Sequence, residues 1–204
     1  MNVPKTAAAA VFVAIAVASV MTMSRPGLAA NDNNQTQDEK LKIQIGARIA
    51  PVHLTIGKKD ADTVYLGSYL VNASNGCNDC HTNPSYAPGG DPFLNQPKQI
   101  NKDHYLGGGA SFGPFVTSRN ITPNASGKPA GLSYSDFVLV LKTGIDFDHV
   151  HGPNVTLQVM PWPVYGNLTD REMNAIYTYL SAIPCLEGDP GVPAPATPAS
   201  RCAI

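Results

Sequence analysis

Apolar side chains at helical spacing mark three stretches of this chain. In residues 61–74, Val64, Tyr65, Leu66, Tyr69, Leu70 and Ala73 line one face, and a period near 3.6 predicts a helix. Gly67 interrupts that face and weakens the isolated helix by up to about 1 kcal/mol. A second helix crossing closely there is one reason for it; a plain surface glycine is the other reading. Residues 133–143 are predicted to form a second helix. Ser133 opens it with Asp136 three positions on, Phe137, Val138 and Leu141 supply the apolar face, and Gly144 is a fitting stop. Residues 169–182 give the clearest pattern. Thr169 and Glu172 form a capping box, and Leu168 and Met173 are placed for a hydrophobic staple. Met173, Ile176, Tyr177 and Leu180 make one stripe, which Pro184 closes.

Elsewhere the pattern is weaker. Residues 31–40 are polar and read as a flexible start. In residues 41–49 apolar side chains fall at every second position (Leu41, Ile43, Ile45, Ala47, Ile49), which suggests an extended segment with one buried face, a short helix being the alternative. Pro51 ends it, and Gly57-Lys58-Lys59-Asp60 reads as a turn. Residues 83–131 are rich in Gly, Pro and Asn and lack sustained periodicity. So long a structureless stretch is unusual in a compact domain unless it packs on something other than itself. Gly107-Gly108-Gly109 is no phosphate loop, because no Gly-Lys-Ser/Thr follows, and reads as flexible turn chemistry. The tail is proline-rich and builds little structure.

The beginning of the chain reads as an export signal. Lys5 supplies a positive start, residues 7–20 are apolar, and Gly27-Leu28-Ala29-Ala30 offers small residues for cleavage. That run is short for a membrane span, which needs about 20 apolar residues, although an uncleaved anchor stays open as the alternative. The expected product is periplasmic or otherwise exported, with no membrane span once residues 1–30 are removed. Removing Lys5 and Arg25 takes the basic count from 14 to 12 against 15 acidic residues, a net charge of −3. Nothing in that balance suggests nucleic acid as a partner.

Four cysteines carry the chemistry. Cys77-Asn78-Asp79-Cys80-His81 is a C-x-x-C-H motif, the attachment signature of c-type haem. On one helical turn the cysteines lie three apart and the histidine follows, so all three project from one face. Two thiols then bond the porphyrin edge as thioethers while the imidazole of His81 reaches the iron. A redox-active dithiol would need a βαβ context that is missing, and structural zinc would need a fourth ligand at matching spacing. Cys185 and Cys202 are expected to pair in an oxidising compartment, two unpaired thiols being the alternative. The bridge would contribute about 3 kcal/mol by chain entropy.

One covalent haem also explains residues 83–131, whose loops can pack on the porphyrin. Its sixth ligand decides the chemistry. Met173 belongs to the stripe of the last helix and is expected to pack in the core. Met160 lies in a loop between residues 145 and 163, stiffened by Pro161 and Pro163, and is the candidate axial ligand. His149 and His151 share that loop and compete with it; bis-histidine ligation would lower the reduction potential. With Asp146 and Asp148 they also raise a metal site as an alternative. His53 and His104 have no companion at ligand spacing.

Taken together, Tyr69-Leu70-Val71, Gly76-Cys77-Asn78-Asp79-Cys80-His81-Thr82, Ser118-Arg119-Asn120-Ile121-Thr122-Pro123 and Ser135-Asp136-Phe137 resemble class I cytochrome c domains. Met160-Pro161-Trp162, Leu168-Thr169-Asp170-Arg171-Glu172 and the stretch 175–184 extend the likeness. It is strongest to the domains in cytochrome subunits of membrane-bound alcohol and sugar-acid dehydrogenases. The resemblance covers residues 61–184, with 1–30 a signal peptide, 31–60 an N-terminal extension and 185–204 a Pro-rich tail outside it. It implies a mainly α cytochrome c fold, a few helices and long loops around one haem c, with the first and last helices crossing. It places the iron between His81 and Met160, and implies an electron carrier rather than an enzyme, serving a redox donor and acceptor. Those subunits carry several C-x-x-C-H motifs where this chain has one, so membership of such a complex does not follow. Arg119, Asn120 and Trp162 are candidate donors to the haem propionates, loop anchoring being the other reading. A haem enzyme or gas sensor with a labile sixth ligand, or a docking subunit held to a dehydrogenase, are the competing classes.

Overall fold

The chain folds mainly as helix: α1 (Asp32–Ile49), α2 (Ala61–Tyr69), α3 (Cys77–His81), α4 (Tyr134–Thr143), α5 (Trp162–Tyr165) and α6 (Asp170–Leu180). The only strands among the described residues are β1 (Ser111–Phe112) and β2 (Val116–Thr117), an antiparallel pair with Ser111 opposite Thr117. This computed structural model describes residues 32–113, 116–146, 155–189 and 202, with side chains from residue 36 onward. The predicted signal at 1–30, Asp148, His149, His151 and most of the Pro-rich tail lie outside the described residues.

α2 is the middle of three crossing helices, and two glycines let it be. A Cβ on Gly46 of α1 would lie 1.9 Å from the Tyr65 carbonyl oxygen, and one on Gly67 of α2 would lie 2.0 Å from the Ala175 carbonyl oxygen of α6. Gly67 therefore marks a helix crossing rather than a free surface. The buried Ser68 hydroxyl donates to the Gly46 carbonyl at 2.8 Å and adds a polar tie between α1 and α2.

The N-terminal segment departs from the extended or flexible reading. Residues 32–49 are one helix, with Gly46 buried against α2 and Ile43 turned toward the core. A short run with apolar residues at every second position also contains pairs four apart (Leu41 and Ile45, Ile45 and Ile49), so a helical period fits it too. Packing on α2 selects the helix. Arg171 of α6 also reaches Glu39 of α1 through two nitrogens, but both side chains are exposed and such a pair is worth at most about 1 kcal/mol.

The core lies between these helices. Val64, Leu66, Leu70 and Val71 from the α2 region meet Met173, Ile176, Tyr179 and Leu180 from α6, with Phe137 and Leu141 of α4 and Tyr105 and Leu106 from the long loop. Each large side chain fully buried there contributes about 1.5–3 kcal/mol. The helix starts follow the predicted caps. Ser133 accepts from the Asp136 amide at 3.2 Å, and Thr169 and Glu172 exchange both bonds of a capping box. Among the described residues, 83–131 hold only the small hairpin, one 3₁₀ turn (Pro92–Leu94) and isolated bridges.

Candidate functional site

The single turn of α3 is set up by its neighbours in sequence. α2 runs on as a π-helical turn, Leu70–Ser74, closed by the Asn75 amide on the Leu70 carbonyl at 2.8 Å. Such turns often accompany functional sites. Gly76 then takes φ +60, a left-handed conformation that costs glycine little, and α3 starts at Cys77. Cys77, Cys80 and His81 stand at i, i+3 and i+4, hence on one face. Both cysteines are free thiols; Cys80 is exposed, and Cys77 and His81 keep part of their surface.

His81 is held at two points. Its carbonyl accepts the Gly108 amide at 2.7 Å, and its ring Nδ1 lies 2.8 Å from the Arg119 carbonyl oxygen. A carbonyl only accepts, so the proton sits on Nδ1 and Nε2 presents a lone pair. Burial lowers the imidazole pKa and outweighs the opposing push of the Arg119 bond, which keeps the ring neutral. That is the state a metal-binding histidine needs. Thr82, fully buried, accepts the Leu106 amide at 2.9 Å and ties the same loop to the end of α3.

Gly108 explains how Arg119 comes within reach. A Cβ there would lie 2.6 Å from the Arg119 carbonyl carbon and the Asn120 nitrogen. The triple glycine thus serves close backbone packing as well as turning.

The sulfur of Cys77 sits against the core, and burial, aided by the nearby Cys80 and Asp79, pushes its thiol up to about 12. Burial raises Cys80 also. Reactive dithiols depend on the opposite shift, toward thiolate. Beneath this face lies a buried polar cluster. The Tyr105 hydroxyl donates to Asn72 Oδ1 at 2.5 Å, and Asn72 Nδ2 donates to the Ser68 carbonyl at 2.9 Å and to the Tyr179 hydroxyl at 3.1 Å. Burial holds both phenols above their ordinary pKa and therefore neutral. Tyr165 donates to the Asn75 carbonyl at 3.3 Å; burial first, then the two cysteines, push it up to about 12.

Met160 packs partly buried against the same apolar cluster as Cys77. Its carbonyl accepts the Trp162 amide at 2.8 Å across Pro161, whose φ −78 and ψ 54 are those of an inverse γ-turn. Trp162 anchors that turn: its ring covers Gly144 at the end of α4, and its indole N–H donates to the Leu157 carbonyl at 3.1 Å. An indole has one N–H, and here it fastens the loop. The other two candidate propionate donors are also engaged. The Arg119 guanidinium pairs with the buried Asp146. Asn120 donates to the Leu186 carbonyl at 2.7 Å and accepts from the Thr122 amide at 2.8 Å. Cys185 and Cys202 form the predicted disulfide, with Cα atoms 5.5 Å apart.

Cys77 and Cys80 are the residues that would hold a porphyrin covalently, and His81 Nε2 is the atom that would meet its iron. Among the described residues no three His, Cys, Asp or Glu side chains converge as a site for a bare metal ion. What the sequence did not reveal is the partner of His81: a backbone carbonyl has no residue-type signal. The Asn72, Tyr105 and Tyr179 cluster joins positions far apart in the chain and shows no spacing either. Comparison with protein-family models, with curated proteins and with solved structures gave no match.

Proposed function

We propose that this protein is an exported single-haem c-type cytochrome that passes electrons between redox proteins. The observation that carries the reading is the presentation of His81: a neutral imidazole, its Nδ1 proton given to the Arg119 carbonyl, stands next to Cys80 and one turn from Cys77, two free thiols on the same short helix. An Nδ1 bond of this kind orients an iron-binding histidine and raises its basicity. Bound there, haem supplies one-electron exchange between ferric and ferrous iron.

The protein's own groups do the rest. Cys77 and Cys80 are the thiols that would hold the haem through thioether bonds to α3. His81 would be one ligand to its iron, and Met160, held by the Pro161 turn, would be the second. Two side-chain ligands would leave such an iron no open position for substrate, which is the reason for proposing electron transfer over catalysis. A thioether opposite the imidazole favours the reduced state relative to two histidines. Tyr105 and Tyr179, both neutral, would bring no charge to a haem held at Cys77. Because Cys80 is exposed, a haem attached there would have an edge near the surface, where a donor or acceptor would dock through a small, short-lived interface. The crossing of α2 and α6 next to α3 supports a cytochrome c fold. The disulfide and the leader-like start support export, and no helix among the described residues is long and apolar enough to cross a membrane.

Met160→Ala tests the axial assignment. The variant is expected to keep covalent haem and lose the ferric methionine–iron charge-transfer absorption; unchanged absorption excludes Met160 and leaves His149 and His151. Slow, weak cyanide binding by the resting wild type is expected, and fast, tight binding would favour the haem-enzyme alternative.

A further inference from the structure

The tail beyond α6 is not idle. Residues 185–188 lie across the loop that carries the Arg119 carbonyl. The Leu186 carbonyl accepts from Asn120 Nδ2 at 2.7 Å, and the Leu186 amide donates to the Thr122 hydroxyl at 3.3 Å. The Glu187 carbonyl accepts from His104 Nδ1 at 3.0 Å. The same peptide packs so closely on Gly107 that a Cβ there would lie 2.8 Å from it. Asn120 and Thr122 are themselves buried and bonded to each other, the Thr122 hydroxyl donating to Asn120 Oδ1 at 2.6 Å. Cys185 begins this strap, and its disulfide to Cys202 closes it. The Cys202 amide donates back to the Glu187 carboxylate at 2.7 Å.

The tail therefore grips both runs of the loop, at 104–107 and at 120–122. Those runs flank the two backbone groups that hold His81, the Gly108 amide and the Arg119 carbonyl. We propose that the disulfide-closed tail, through Asn120, is the positioning element for His81, so that the redox state of Cys185 and Cys202 tunes the haem iron. The proposal rests on His81 being an axial ligand. With the disulfide closed, the Arg119 carbonyl is fixed and draws on the Nδ1 proton, which makes the imidazole a stronger donor and favours ferric iron. Two electrons and two protons from an external dithiol open the bridge to two thiols. The strap then loosens, the Nδ1 bond lengthens on average, and the potential rises.

The test uses haem-loaded wild type beside Cys185→Ser/Cys202→Ser and Asn120→Ala, the latter keeping the disulfide and losing the Asn120 bond to the Leu186 carbonyl. Two quantities are read: the midpoint potential, and the solvent-exchange rate of the His81 Nδ1 proton by NMR. Both variants are expected to raise the ferrous-to-ferric ratio at fixed applied potential several-fold, up to the tenfold that corresponds to 59 mV for one electron. Exchange is expected to quicken tenfold or more. Unchanged potential and exchange in either haem-loaded variant overturn the proposal, whatever happens to melting temperature. If the double cysteine variant fails to mature, haem-loaded wild type with the bridge opened by dithiothreitol takes its place beside Asn120→Ala, and unchanged potential and exchange in either overturn the proposal. A wild type that takes up no haem would instead refute the function proposed above.

Discussion

Gly67→Ala sets two effects of known size against each other. An added Cβ would stand 2.0 Å from the Ala175 carbonyl oxygen and 2.6 Å from both the Ala175 carbonyl carbon and Tyr179 Cβ. Carbon–oxygen contacts ordinarily begin at about 3.3 Å, so α2 and α6 would have to part by roughly 1.3 Å. A radial gap of even 0.5–1 Å forfeits about a quarter to a half of each contact's attraction. The obstructing atoms are two of the Ala175 backbone and the Tyr179 Cβ, none of which can rotate away. Overpacking of a filled core costs about 1–3 kcal/mol, while replacing glycine by alanine inside a helix returns about 1 kcal/mol. With the upper part of the overpacking range applying to backbone obstruction, the expected net loss is about 2 kcal/mol. Urea unfolding of the haem-loaded protein, followed by far-ultraviolet circular dichroism, reads this as a lower midpoint at unchanged slope. A midpoint equal to or above wild type would mean that propensity wins and that the helices do not touch at residue 67.

Two further changes probe the buried polar groups and a helix cap. Tyr105→Phe leaves Asn72 Oδ1 without the donor it has at 2.5 Å, so a loss of about 1–3 kcal/mol is expected in the same unfolding assay; a neutral result would show the cluster to be dispensable. Asp60 caps α2, and hydrogen bonds from the Thr63 side chain and backbone hold its carboxyl below the ordinary value. Because the folded value lies below the unfolded one, its contribution is complete above the ordinary carboxylate range of about 4 and fades as pH falls through the folded value. Asp60→Asn keeps a cap but cannot titrate, so the melting-temperature difference between wild type and variant should shrink or reverse on acidification. A difference that stays constant with pH would contradict this.

What could be read from the sequence was local. Thr169 with Glu172, Ser133 with Asp136, and the stripe of Met173, Ile176 and Leu180 act within one or two turns, and the structure reproduces them. The Cys77, Cys80 and His81 face follows from spacing in the same way. Residues 41–49 were ambiguous because their apolar positions satisfy two periods, and only Gly46 seated on Tyr65 decides between them. Asn120 and Trp162 look like donors free for a ligand until the fold brings the Leu186 and Leu157 carbonyls to them. The Arg119 carbonyl that orients His81 lies 38 positions away and belongs to the backbone, so no pattern of residue types announces it.

The central claim is that Cys77 and Cys80 carry one haem through thioether bonds. Intact mass of the mature protein, made in a host competent for c-type maturation, tests it together with a pyridine haemochrome spectrum. A mass increased by one haem that survives acid denaturation, and the spectrum of a ring whose vinyls are both saturated, are the predicted results. A colourless protein of unmodified mass, or haem extracted by acidified solvent, would contradict the account.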